Sequence, residues 1–246
     1  MKVETPGFVL SSLQLVLTFS IFLSSLLRPD ICHADTPLPR VLVIGDFVYQ
    51  QATPGLQKDL KGRVKVHYPR LEPGVVLNSS TALEHFETLL GEGDWDLVHF
   101  NVGLGDLIHR APWFKSMRVY PKPAGGVPNT SPEQYEKNLR ELVKRLKATG
   151  SKLVWASTTP IRHSSTNVFE MGSEMQYNAI AAKVMKEQGI PTNDMYTFVK
   201  GLINMDKPAG HGADPFHFDK KPIHPPILET IQSTLGIKVA AAPGAK

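Results

Sequence analysis

Val41-Leu-Val-Ile-Gly-Asp-Phe47 is an unbroken aliphatic run that enters a Gly-Asp turn. An apolar run of this length with no polar alternation reads as a strand buried on both faces, as in a parallel sheet. Ligands of open α/β sheets bind at the carboxyl ends of the strands, so the residue delivered at position 47 faces whatever site exists. That residue is Phe47.

Outward from this strand, apolar patterns of two periods alternate. Val64 to His67 and Trp95 to Asn101 read as second and third strands, with Thr81 to Gly91 between them as a helix carrying Leu83, Phe86, Leu89 and Leu90 on one face. Ser131-Pro-Glu-Gln134 opens a helix with a capping residue and a proline in its first turn, and Tyr135, Leu139, Leu142, Val143 and Leu146 follow as one stripe up to Gly150. Lys152 to Thr158 reads as a fourth strand, Ser173 to Gly189 as a further helix, a fifth strand falls within Ile190 to Tyr196, and a last helix starts at Pro225. Residues 105–130, rich in Pro and Gly, form a long loop on the side of the strand ends, where lids and binding loops are found. The alternation predicts a three-layer α/β/α fold with a parallel sheet over residues 40–237.

The chain of 246 residues is 41% hydrophobic, enough for one well-cored domain. Its formal net charge of +4 is scattered among both signs and forms no basic arm, which sets nucleic acid aside as a partner. Residues 1–34 have the pattern of an export signal: Lys2, an apolar run from Phe8 to Leu27, and the small pair Cys32 and Ala34 at the cleavage site. This predicts a periplasmic or extracellular protein with no stable membrane insertion once cleaved; the alternative is an anchor formed by residues 8–27. Residues 35–39 read as a linker and 238–246 as an Ala/Pro/Gly tail. The single cysteine lies in the signal, so the mature chain has no thiol for a disulfide, a nucleophile or a metal.

Five blocks in order, Ile44-Gly-Asp46, His99-Phe-Asn-Val-Gly-Leu-Gly-Asp106, Tyr135 to Leu142, Trp155 to Pro160 and Asp214-x-x-His217, resemble the SGNH or GDSL hydrolases, above all the secreted bacterial ones. The resemblance implies a flavodoxin-like strand order and, in that family, a serine nucleophile after Gly-Asp, with a Gly and an Asn as oxyanion donors. It also implies that the Asp-x-x-His segment carries the base and its orienting carboxylate. By position it assigns Gly74 and Asn101 to the oxyanion site, Asp214 to the orienter and His217 to the base. It implies no cofactor and no metal, and an ester-bearing small molecule or carbohydrate as ligand.

One position departs from that pattern. Phe47 stands where the serine belongs, and a phenyl ring has no lone pair with which to attack a carbonyl. Asp46 fits a turn cap as well as a ligand contact, and Asn101 fits a loop-stabilising amide as well as a ligand-facing one. Ser79, Ser80 and Ser157 are conceivable replacement nucleophiles, but each fits a helix or strand end better. His211, His217, His224, Asp214 and Asp219 crowd one loop without the spacing of a metal motif. Trp95 and Trp155 fall in strand patterns as core, whereas Trp113, beside Phe114, offers a stacking face for a sugar ring. Two functions follow: an exported ester hydrolase that bypasses the missing serine, or a family-like protein that kept the pocket, lost the chemistry, and binds a carbohydrate or acyl group.

Overall fold

Buried on both faces, Arg40–Ile44 (β1) must be flanked by strands and covered by helices, and it is. In the computed structural model, which describes residues 1–2, 37–113, 119–163, 166–207, 216, 218 and 221–237, β1 pairs in parallel with Lys65–His67 (β2) on one side and with Leu97–Phe100 (β3) on the other. The register runs Val41 to Leu97 through Ile44 to Phe100, so β1 and β3 end level. His109–Arg110 (β4) and Val127–Pro128 (β5) form a separate antiparallel ribbon inside the long loop. Lys152–Ala156 (β6) and Thr192–Asn193 (β7) complete the five-stranded sheet in the order β2-β1-β3-β6-β7. That is the flavodoxin-like order, with its reversal of direction between β1 and β3, where the crevice for a ligand opens.

The chain divides into two units, residues 1–37 and 38–246, and the sheet belongs to the second. Phe47–Asp59 (α1) packs on β1 and β2 and against Pro225–Leu235 (α8), forming one outer layer. The other layer is built from Ser79–Glu84 (α2), Phe86–Leu90 (α3), Pro132–Ala148 (α5) and Ser173–Gln188 (α6), where α5 touches both α2 and α6. Leu104–Leu107 (α4) follows β3, and Met195–Leu202 (α7) follows β7.

Local chemistry explains most boundaries. The Ser131 hydroxyl accepts the Gln134 amide at 3.2 Å, and α5 then buries Tyr135, Leu139, Leu142, Val143 and Leu146, the stripe read from sequence. The helix expected over Thr81 to Gly91 starts earlier and breaks at His85. Asn78 forms a capping box with Thr81, which moves the start to Ser79. Helix α1 was not anticipated, because Pro54 and Gly55 interrupt its sequence. Tertiary packing overrides them: Val48, Tyr49, Ala52 and Leu56 are buried on the sheet, and Gly55 gives up its side chain to the His224 ring, 2.6 Å from where a Cβ would stand. His224 in turn contacts Asp59 at 3.1 Å. Trp95 and Trp155 are in the core, as their strand patterns require.

Candidate functional site

The turn after β1 is held by three short-range devices. Asp46 caps α1, its carboxylate accepting the Val48 amide at 2.9 Å. Tyr68, just past β2, donates its hydroxyl to the Gly45 carbonyl at 2.8 Å. Gly45 itself admits no side chain, since a Cβ would lie 2.4 Å from the Tyr49 ring. The turn is therefore rigid, and it presents Phe47, the first residue of α1, at 38% exposure.

Phe47 borders a cavity of about 540 Å³ at the ends of β1 and β3. Leu71, Val75, Val76 and Leu77 of the loop after β2 form one wall, and Leu104 and Ile108 form another. The third is aromatic: Phe47 meets Phe216 edge to face at 5.3 Å and 64°, and Phe216 meets Phe169 at 5.1 Å and 87°. Among the described lining residues, polar side chains come only from Asp46, Gln50 and Tyr68 at the turn end.

The electrostatics of that end follow from its burial. Loss of water pushes the Asp46 carboxyl up to about 7, against the opposing pull of the Val48 and Tyr49 amides. Burial, then the Asp46 charge, push the Tyr68 phenol up to about 12, so at neutral pH it is a hydrogen-bond donor and not a base.

The residues assigned from sequence are distributed unevenly around this cavity. Asp46 and Phe47 line it. Asn101 lies beside the turn, its amide N–H bonded to the Ile44 carbonyl at 2.9 Å, but its side chain is fully buried. Its Nδ2 donates to the Ala156 carbonyl at 2.8 Å and to the Thr158 hydroxyl at 3.2 Å, so both side-chain hydrogens tie β3 to β6. Gly74 sits exposed in a turn at φ +90°, a conformation that suits glycine, next to the lining residue Val75. Asp214 and His217 lie outside the described residues, as do residues 3–36, on which most of the export signal expected at 1–34 falls, the expected tail from residue 238, and His211, Asp219 and Phe114.

The serines considered as nucleophiles are occupied elsewhere. Ser79 is fully buried, donates its hydroxyl to Asp106 at 2.6 Å and accepts from Asn138 at 2.9 Å. Ser80 also accepts from Asn138, and Ser157 donates to Asp194 at 3.2 Å while accepting the Tyr196 amide. Both oxygens of Asp106 share the one Ser79 N–H besides the hydroxyl, and burial still pushes its carboxyl up to about 6. Trp113 is exposed and stands edge-on to Tyr120 at 5.4 Å. Among the described residues no three His, Cys, Asp or Glu gather as metal ligands, and no helix is long and apolar enough to cross a membrane.

Sequence reasoning missed the cavity's apolar walls. Phe216 lay in plain view inside the Asp-x-x-His block, but its neighbours carried the chemical expectation. Tyr68 and the wall from Leu71 to Leu77 fall in the loop whose text departs most from the resembled pattern.

No family model matches this sequence. None of the curated proteins matches it either. Solved structures do. An acetylxylan esterase from Geobacillus stearothermophilus is similar at TM-score 0.54 and 14% identity, covering 83% of this chain and 97% of its own. A lipase/acylhydrolase from Enterococcus faecalis is similar at TM-score 0.59 and 12% identity, covering 83% of this chain and all of its own (100%). A GDSL-like lipase from Bacteroides thetaiotaomicron follows at TM-score 0.50 and 15% identity, covering 79% and 88%. The central five-stranded parallel sheet between two helical layers is thus the SGNH/GDSL hydrolase fold.

Proposed function

We propose that this protein binds an ester-bearing ligand, an acylated carbohydrate or a small acyl ester, in the cavity beside Phe47 and does not cleave it by the serine route. The observation that carries the proposal is Phe47 itself. It is the first residue of α1 on a rigid Gly-Asp turn, where the resemblance expects a nucleophile, and its ring is packed against Phe216. A phenyl ring supplies neither a nucleophile nor a proton for a base to remove. The structural neighbours, an acetylxylan esterase and two lipases, support an ester as the ligand class. The apolar walls support burial of its acyl part.

Export belongs to the same proposal: the apolar run from Phe8 to Leu27 and the pair Cys32 and Ala34 direct the chain out of the cytoplasm, with cleavage after Ala34. The test of function is a panel of acyl esters offered to the purified protein, read by calorimetry for binding and by titration of released acid for turnover. The expected result is saturable binding with turnover far below the roughly 1–10³ s⁻¹ of ordinary enzymes. Turnover within that range, or binding of no ester in the panel, would overturn the proposal.

A further inference from the structure

Arg110 is placed in β4 directly opposite Val127 of β5 on one side and Val119 on the other. Residues opposite each other in a ladder turn their side chains to one face, so the arginine is the middle of three with a valine on either flank. It is also the buried one: Arg110 is 8% exposed, against 42% for Val119 and 43% for Val127. A guanidinium carries five N–H donors and a charge it cannot shed, so burying it is costly unless an acceptor meets it. Here none does. Nε is sealed from water without a partner, and among the described residues nothing accepts a hydrogen bond from the rest of the group or pairs with its charge. Burial lowers the Arg110 pKa, and no described carboxylate raises it again. Other arginines of the chain are provided for. Arg162, buried likewise, gives two N–H groups to the Lys207 carbonyl, and Arg140 and Arg145 have glutamates.

The place of Arg110 ties it to a ligand in the cavity. Ile108, extended and two residues earlier, lines that cavity. Side chains two apart in extended chain share a face, so Arg110 stands on the same side, about 7 Å farther along. It is not itself a lining residue, and so meets a part of the ligand outside the cavity. We propose that Arg110 receives a carboxylate on the carbohydrate part of the ligand, which makes the ligand an acylated acidic sugar, one carrying a uronic acid. This rests on the ester-binding reading. One guanidinium fork matches one carboxylate in charge and in shape. A phosphate dianion would need a second cation, and Lys122, of the same loop, is already paired with Glu170.

Calorimetric titration at pH 7 with the acetylated methyl glycosides of glucose and of glucuronic acid tests this. The acid is expected to bind roughly ten- to a hundredfold more tightly than the neutral sugar, the range of a hydrogen bond to a charged group. That advantage should shrink in Arg110→Lys, which keeps the charge and loses the fork, and vanish in Arg110→Met. Arg110→Met should also melt no lower than the parent, because it replaces an unpaired buried cation by an apolar side chain of similar length. Inorganic phosphate should displace the acid poorly. Equal affinities for the two glycosides, or an advantage that survives Arg110→Met, overturn the Arg110 assignment while leaving ester binding intact. An Arg110→Met protein that melts well below the parent does the same, since the guanidinium would then be holding the ribbon. Phosphate competing as well as glucuronate overturns the carboxylate. Binding of neither glycoside removes the ester-binding reading as well.

Discussion

Replacing Phe47 by serine should create ester hydrolysis, and the structure says how much. The stability cost comes first. Phe47 is 38% exposed, so about 60% of its surface is covered. That is roughly 100–150 Å² of a side chain that buries 150–250 Å² when enclosed, worth about 2–3 kcal/mol with little cavity penalty at so open a site. A domain with the usual stability of about 5–15 kcal/mol survives that loss. The new hydroxyl would stand on the same rigid turn, because Asp46 and Tyr68 hold the turn through backbone groups that the substitution leaves alone.

The rate follows from Asn101. Its two N–H bonds are spent on Ala156 and Thr158, so it gives no help to an oxyanion in this arrangement. Absence of one such donor costs about 10²–10³ in kcat, which brings a median kcat of about 10 s⁻¹ down to roughly 0.01–0.1 s⁻¹. The assay is release of nitrophenol from p-nitrophenyl octanoate by Phe47→Ser, by the parent, and by Phe47→Ser combined with His217→Ala. Turnover should appear only in the first, since a serine and its base act as a unit. A folded Phe47→Ser with no turnover would refute the inference that Asp214 and His217 complete a site at this turn. A rate near 10 s⁻¹ or above would show instead that Asn101 is free to leave its strand contacts.

Three further outcomes are expected. Asn193 Nδ2 lies 3.3 Å from the Pro226 carbonyl and 3.0 Å from His99 Nε2, so it donates to both, and His99 is neutral with its proton on Nδ1. Burial lowers the His99 pKa from 6.5 to about 4, so its contribution is present above pH 6.5 and is lost as pH falls toward 4, about 3 kcal/mol in all. His99→Phe should therefore be less stable than the parent at pH 7 and more stable at pH 4 in urea unfolding, and an equal difference at both pH values would contradict the assignment. Asp106→Ala strands the buried Ser79 amide and hydroxyl and should cost about 2–4 kcal/mol at pH 7, whereas Asp106→Asn, which can still accept from one and donate to the other, should cost less than half as much. Intact-mass measurement of protein from its native host should give a chain beginning at Asp35, and a species retaining residues 8–27 would make that segment an anchor.

Much of the fold was legible because the residues that build it do so through period and caps. The run from Val41 to Ile44, the stripe of α5 and the proline start of α8 each signal one element by local chemistry. Helix α1 was illegible because its deciding facts are nonlocal: a His224 ring that needs Gly55 and a sheet that buries Val48 and Leu56. The same divide runs through the site. The Gly-Asp turn and the foreign Phe47 can be read directly, because a single residue type decides the chemistry. The direction of the Asn101 amide cannot, since it depends on the Ala156 carbonyl, 55 residues away in β6, and on the Thr158 hydroxyl just past it. Nor can the apolar walls, which come from segments far apart in the chain and announce themselves only as ordinary leucines and valines.

The most direct test of the central claim is a crystal structure of the unaltered protein grown with methyl octanoate. The prediction is an intact ester in the cavity beside Phe47. A cleaved octanoate product, or an ester bound elsewhere with the cavity beside Phe47 left without it, would contradict the account.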